Sequence, residues 1–291
     1  MVDNYDMGNL KQVSSVLRLA LRDRLARPGR PRVPEPMLMD DPEAVRAFHE
    51  SAATVQMPAY EFNASMMSRL VPRDGHVLDL GSGSGQLAAH LATGRPDVSI
   101  TCVDLSPEMV ATGRIMASER DLEGRLSFVT GDITSLEDEP IGTPDLVCCN
   151  YVMHQFPNKD TAVAALREIA RIRDRHGSAV WIFDLGRLRR PETMSTLFDT
   201  MWGPVDRRLR ADALASEAAA WTMEEMRDMV TEAGLTELTC ARDKTLRMYQ
   251  SWWAPLRRPT SAPPWERPPI SPMAAFWADQ TATGMSNLPP G

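Results

Sequence analysis

Three acids, each at the carboxyl end of a short apolar run, and one glycine cluster are the residues here whose types and spacing fit chemistry. HVLDLGSGSG (76–85) places Asp79 two residues before the alternating Gly81, Gly83 and Gly85. A glycine turn between a strand and a helix lets backbone approach a nucleotide and offers unpaired N–H groups. Gly83, Gly85 and Ala88 also satisfy the looser G-x-G-x-x-A dinucleotide form, so the turn by itself leaves the ligand open. A carboxylate at Asp79 repels a pyrophosphate and suits an ammonium group. SITCVDLS puts Asp104 about 20 residues beyond the turn, where an acid accepts hydrogen bonds from both ribose hydroxyls. FVTGDITSL sets Asp132 beside Ile133, a pairing able to take an adenine amino group while flanking its ring.

A second group falls where a reaction partner would sit. His154 in NYVMHQF follows the fourth apolar run, at the sheet edge that binds ligands in alternating folds, and is the candidate general base, with Tyr151 beside it. An equal reading makes His154 a wall residue that orients its loop. Arg187, Arg189 and Arg190 follow the fifth run and offer forked hydrogen bonds to a carboxylate. Trp202, Trp221, Trp252 and Trp253 lie in later segments, where aromatic faces can hold a cation. Arg187, Trp202 and Tyr249 are the candidates for binding the acceptor. No Cys-x-x-Cys or Cys/His spacing occurs, and no metal is expected.

HVLDLGSGSG, VDLSPEMV, VTGDI and PDLVCCNYVMHQF, in that order, resemble the motifs of class I methyltransferases, especially the ubiquinone/menaquinone-biosynthesis-like group. The resemblance spans roughly residues 60–185. It implies S-adenosylmethionine as cofactor, with contacts along Gly81, Ser82, Gly83 and Gly85 and ribose recognition by Asp104. It also implies adenine contacts from Leu105, Met109, Asp132 and Ile133, with Asn150 near the sulfonium. The acceptor does not carry over. A small amino-acid-like acceptor methylated on nitrogen or thioether sulfur is the favoured expectation. O- or C-methylation of an aromatic or polyketide-like metabolite is the alternative. From other classes come a non-catalytic cofactor-binding regulator and a NAD(P)-dependent oxidoreductase. The latter lacks a Tyr-x-x-x-Lys pair, because the chain has only Lys11, Lys159 and Lys244.

Elements able to position these groups follow from periodicity. β-branched runs alternate with helical ones from HVLDL to AVWIFDL, which predicts an α/β fold. Its doubly wound, mostly parallel, Rossmann-like sheet has seven strands, the last antiparallel. The expected organisation is an N-terminal helix and proline-rich linker (1–40), a catalytic domain (41–253) with a helical lid insertion (186–221), and an extended or disordered arm (254–291). The linker RPGRPRVPEP carries four prolines, and the arm nine in 38 residues. Thr222 and Glu225 form a capping-box pattern before an apolar-periodic run.

Net charge is -7, which argues against a general nucleic-acid or anionic-membrane binder. Arginines from Arg18 to Arg32 read as a solvated helix face before a nucleic-acid arm. The excess of Arg over Lys points to a GC-rich, bacterial genome. Without a signal-peptide pattern or a membrane-length apolar run, a cytoplasmic setting is expected, with reduced cysteines, a small-molecule partner and a possible homodimer.

Overall fold

The computed structural model describes residues 3–36, 41–52, 56–137, 139–201 and 207–290. Helices α1 (Asp3–Leu25), α2 (Pro42–Ala52) and α3 (Met57–Ser68) precede β1 (His76–Leu80), α4 (Gln86–Gly94), β2 (Ser99–Asp104), α5 (Pro107–Glu119), β3 (Leu126–Thr130) and β4 (Leu146–Asn150). A 3-10 turn (Met153–Gln155) leads into α6 (Lys159–His176) and β5 (Ala179–Leu185). Then come α7 (Pro191–Met201), α8 (Arg207–Ala219), α9 (Met223–Glu232), β6 (Thr239–Asp243), β7 (Tyr249–Ala254), α10 (Pro272–Gly284) and the short β8 (Met285–Ser286).

The strands form one sheet in the order β3-β2-β1-β4-β5-β7-β6-β8. β1 to β5 run parallel, and β7 inserts antiparallel between β5 and β6. An eighth strand, beyond the seven expected, comes from the C-terminal segment, where β8 pairs antiparallel with β6. Both faces of the sheet are covered, so LVCCN and AVWIFDL carry apolar residues on both sides instead of alternating. One core packs α3, α4 and α5 on one face; a second packs α6 and α9 on the other. Local sequence sets the helix ends. Ser106 caps α5 by accepting from the Met109 N–H, and Asn158 caps α6, which stops at left-handed Gly177. Thr222 and Glu225 form the reciprocal capping box of α9. Because β1 and β4 are neighbours while their crossovers run to opposite sides, a crevice opens at their carboxyl ends.

Both proline-rich segments are docked. Residues 27–36 form a strap without helix or strand. Arg30 pairs with buried Glu217 at 2.7 Å, and Arg32 stacks on Trp221 at 3.9 Å while donating to the carbonyls of His154 and Phe156. Arg30 and Arg32 therefore belong to the interior contacts of the fold and not to a basic arm. The C-terminal segment is not a disordered tail. Glu61 of α3 is wholly buried and draws its partners from His90, Trp265 and Arg267. A buried carboxylate demands such donors. Ser271 and Pro272 start α10, which lies against α3. Among the described residues no helix is long and apolar enough to cross a membrane.

Candidate active site

A cavity of about 510 Å³ occupies the crevice. Its walls combine Asp79, the Gly81–Gly83 turn, Asp104, Met109, Asn150 and Tyr151 with Glu35 from the strap and Asp212 from α8. Five carboxylates line it (Glu35, Asp41, Asp79, Asp104 and Asp212), and no Lys, Arg or His does among the described residues. Such a surface favours a cation and repels an anion.

The turn owes its shape to its glycines. Gly81, Gly83 and Gly85 have φ of +69°, +55° and +73°, a region costly for residues with a Cβ. A Cβ on Gly81 would lie 2.4 Å from Val152 Cγ2, whereas one on Gly83 would meet only Met109 Sδ and Phe48 Cε1 at 3.9 Å. Gly81 therefore serves packing, and Gly83 leaves backbone open to the cavity. Gly81→Ala is expected to lower unfolding stability by at least about 2 kcal/mol in urea titrations. Gly83→Ala should cost about 1 kcal/mol, the left-handed strain alone. Equal losses at the two positions would refute this assignment.

Asp104 is fixed by the Gly83 and Ser106 N–H groups, at 2.7 and 3.0 Å. Asp79 is 4% exposed, and its described hydrogen-bond donor is the Cys148 thiol at 3.3 Å. Burial pushes its pKa up to about 6, against the thiol hydrogen bond and with help from Asp104. Across the crevice, the buried Oδ1 of Asn150 has no hydrogen-bond partner among the described residues. A buried acceptor left orphaned beside an uncompensated carboxylate fits a ligand bearing a charged N–H group.

His154 lies beside the cavity with both ring nitrogens engaged. Nδ1 is 2.6 Å from Asp184 Oδ1, and Nε2 is 3.2 Å from Glu35 Oε1. Burial alone would depress its pKa, but Asp184 and Glu35 outweigh that and hold it at about 9. The imidazole is thus protonated near neutrality. That corrects the general-base expectation, because a protonated ring with no vacant nitrogen takes no proton. The carboxylate it holds, Glu35, also accepts from the Ser216 hydroxyl and faces the cavity.

The other expected residues divide. Ser82, Met109 and Tyr151 line the cavity, Tyr151 with φ of +58° and its ring edge-on to Phe183. Gly85 opens α4 and does not line it, nor does Leu105. Ile133 is buried in the core, and Asp132 is exposed, capping a turn through the Thr134 N–H and hydroxyl. Arg187 is directed elsewhere: it pairs with Glu225 and donates to the carbonyls of Arg30 and Ala220. Arg189 spends its guanidinium on the Arg24 and Ala26 carbonyls. Tyr249 stacks on Phe183 away from the cavity lining, and Trp221 bonds the Met153 carbonyl. Trp202 lies outside the described residues. Sequence reasoning missed Glu35, Asp184 and Asp212. Asp184 carried the same signal as Asp79 and Asp104, an acid ending an apolar run; Glu35, inside a proline-rich linker, carried none.

Residues 77–177 match the methyltransferase domain family. An O-methyltransferase of Aspergillus terreus is 32% identical over 117 residues, 39% of this chain and 32% of that protein. A ubiquinone/menaquinone biosynthesis C-methyltransferase of Paracoccus denitrificans is 36% identical over 76 residues, 26% of this chain and 30% of that protein. The chain thus spans about a third of the length of these relatives. In fold it is similar to the mitomycin 7-O-methyltransferase, with a TM-score of 0.52 at 20% identity over 73% of this chain and 57% of that one. With the motifs in order on the sheet and these matches agreeing, residues 77–177 form a methyltransferase domain, similar in sequence to S-adenosylmethionine-dependent methyltransferases and, in fold, to the Rossmann-like ones.

Proposed function

We propose that this chain binds S-adenosylmethionine and methylates an oxygen of a small hydroxylated acceptor. The observation that carries the reading is the cavity at the glycine turn, lined by five carboxylates and no cationic side chain. It suits a cofactor whose ammonium and sulfonium outweigh its one carboxylate, and it disfavours a pyrophosphate. Asp79 and the orphaned Asn150 Oδ1 would hold the ammonium, Asp104 the ribose hydroxyls, and Met109 an apolar flank. When bound, the cofactor supplies a methyl group already activated by its sulfonium. The chain then has to exclude water, align the acceptor and take its proton. Glu35 is the carboxylate available for that proton: the acceptor O–H bond breaks, the proton passes to Glu35, and the electron pair stays on oxygen. Asp184 and His154 hold Glu35 at the wall.

The nitrogen or thioether expectation gives way here. Arg187, the expected clamp for the carboxylate of an amino-acid acceptor, faces away and pairs with Glu225. A thioether needs no base, which leaves Glu35 unexplained. The names of the relatives point to oxygen and carbon as acceptor atoms. We also place the chain in the cytoplasm, in keeping with free, buried Cys102, Cys148 and Cys149.

Methyl-labelled S-adenosylmethionine offered with a pool of phenolic and hydroxylated metabolites, and separately with amino acids, tests this. Label in methyl ethers is expected. Label confined to the amino acids would overturn the oxygen reading, and absence of both cofactor binding and transfer would overturn the whole.

A further inference from the structure

The strap separates two cavities of opposite character. Glu35 and Pro36 wall the acidic one, while Pro28, Gly29 and Arg30 wall a second of about 380 Å³. Seven arginines and four carboxylates line this second cavity, against the composition of a chain whose net charge is -7.

Two of the four carboxylates there, Glu225 and Asp23, are already committed, which leaves Glu224 and Asp228 against the arginines. Glu225 pairs with Arg187 and closes the capping box of α9, and Arg30 is taken by Glu217. Asp23 accepts from the N–H groups of Arg189 and Arg190 and from the Thr193 hydroxyl. Arg24 and Arg189 end on backbone carbonyls, of Lys244 and of Arg24 and Ala26 respectively, so their charges stay uncompensated. Among the described residues the Arg242 guanidinium reaches only Met223 Sδ, at 4.0 Å. The guanidinium groups of Arg227 and Arg247 have no hydrogen bond or ion pair among the described residues, the Arg227 carbonyl alone accepting from the Thr231 hydroxyl.

Arg247 is also placed against local preference. Its φ is +61°, a conformation that costs a non-glycine residue of order 1 kcal/mol and persists only where the surroundings impose it. Here Asp243 imposes it by accepting the N–H groups of Thr245 and Leu246, while the Gly186 N–H fixes the Met248 carbonyl at 2.7 Å. Burial, then the charges of Arg242, Arg24 and Arg189, lower its pKa and outweigh the opposing charge of Glu224. Like charges gathered this closely call for an anion between them.

We propose that this second cavity is an anion site that takes a phosphate-bearing small molecule on Arg227, Arg242 and Arg247. Guanidinium forks match the oxygens of a tetrahedral dianion, and the cavity lies in the size range of small-molecule sites. Because Pro28–Arg30 wall it, an occupant also braces the strap that presents Glu35 to the other cavity. This consequence rests on the proposed function; the anion site does not.

Calorimetric titration of the full chain with inorganic pyrophosphate at low salt, in the absence of S-adenosylmethionine, is the test. Saturable binding is expected, weakening steeply as salt is raised. Arg227→Gln combined with Arg247→Asn, the asparagine chosen because it tolerates the left-handed backbone, should weaken it at least tenfold. Arg227→Gln alone, on the exposed face of α9, should weaken it measurably and is the fallback if the double variant misfolds. No saturable binding by the unaltered protein overturns the proposal, and so does binding that the substitutions leave unchanged, which would mark an adventitious ion only. Neither result bears on cofactor binding in the acidic cavity.

Discussion

Asp79→Asn is expected to weaken S-adenosylmethionine binding by at least about 30-fold while making the ligand-free protein more stable at pH 7. Both effects have one cause. Asp79 is buried with a thiol as its described donor, and its pKa stands at about 6 instead of 3.8. A folded-state pKa above the unfolded one means that the native state binds the extra proton between these values. This contribution to stability is full below about 3.8 and lost as pH rises through 6. At pH 7 the ionised side chain is therefore a liability, of up to about 3 kcal/mol at 1.36 kcal/mol per unit. Removing the charge relieves it. The same charge is what a bound ammonium needs, and truncating one partner of a buried charge pair costs about 2 to 5 kcal/mol in affinity.

The pH dependence follows with the same sign. Cofactor affinity of the unaltered protein should fall as pH drops through 6, because protonation removes the carboxylate that the cation requires. The Asn variant should show no such step. Calorimetric titrations between pH 5 and 8, with urea unfolding of the ligand-free proteins at pH 7, measure both. A variant that binds normally, or one that is destabilised at pH 7, would remove Asp79 from its assigned role.

How much of this was legible in sequence depended on whether the signal was local. HVLDL, SITCVD, LVCCN and AVWIFDL announce buried parallel strands by composition, and Ser106, Asn158 and Thr222 announce helix starts by their side-chain oxygens. Asp79, Asp104 and Asn150 were findable for the same reason, since each lies at the last or next-to-last position of a strand and the sheet carries it to the crevice. The docking of the proline-rich segments was not legible. Proline fixes φ and removes a donor, which predicts the absence of helix but says nothing of where an extended chain lies. The answer was in distant partners: Glu217 and Trp221 for the strap, Glu61 for the C-terminal segment. Asp132 shows the converse, a residue in the right motif position whose oxygen is taken by its own turn.

Glu35→Gln is expected to lower kcat for an oxygen acceptor by about 10²- to 10⁴-fold, the usual worth of a positioned proton acceptor, with cofactor affinity within about twofold. The amide keeps a neutral oxygen toward His154 Nε2 and Ser216, so the strap stays docked through Arg30 and Arg32 while the basic oxygen is lost. His154→Ala is a poorer test. It would leave Asp184 a buried carboxylate without its ring partner, and breaking such a pair costs about 3 to 5 kcal/mol of stability, so lost activity would report unfolding as readily as chemistry. Its value lies in pH. The folded pKa of His154 is raised from 6.5 to about 9, so the stabilisation it lends is full below 6.5 and disappears as pH rises through 9. Loss of Glu35 positioning should then appear as an alkaline limb near pH 9 in kcat, with unfolding monitored in parallel to separate the two. A Gln variant that keeps more than half of kcat with an acceptor that must lose a proton would show that Glu35 takes none and would move the base to another group of the cavity.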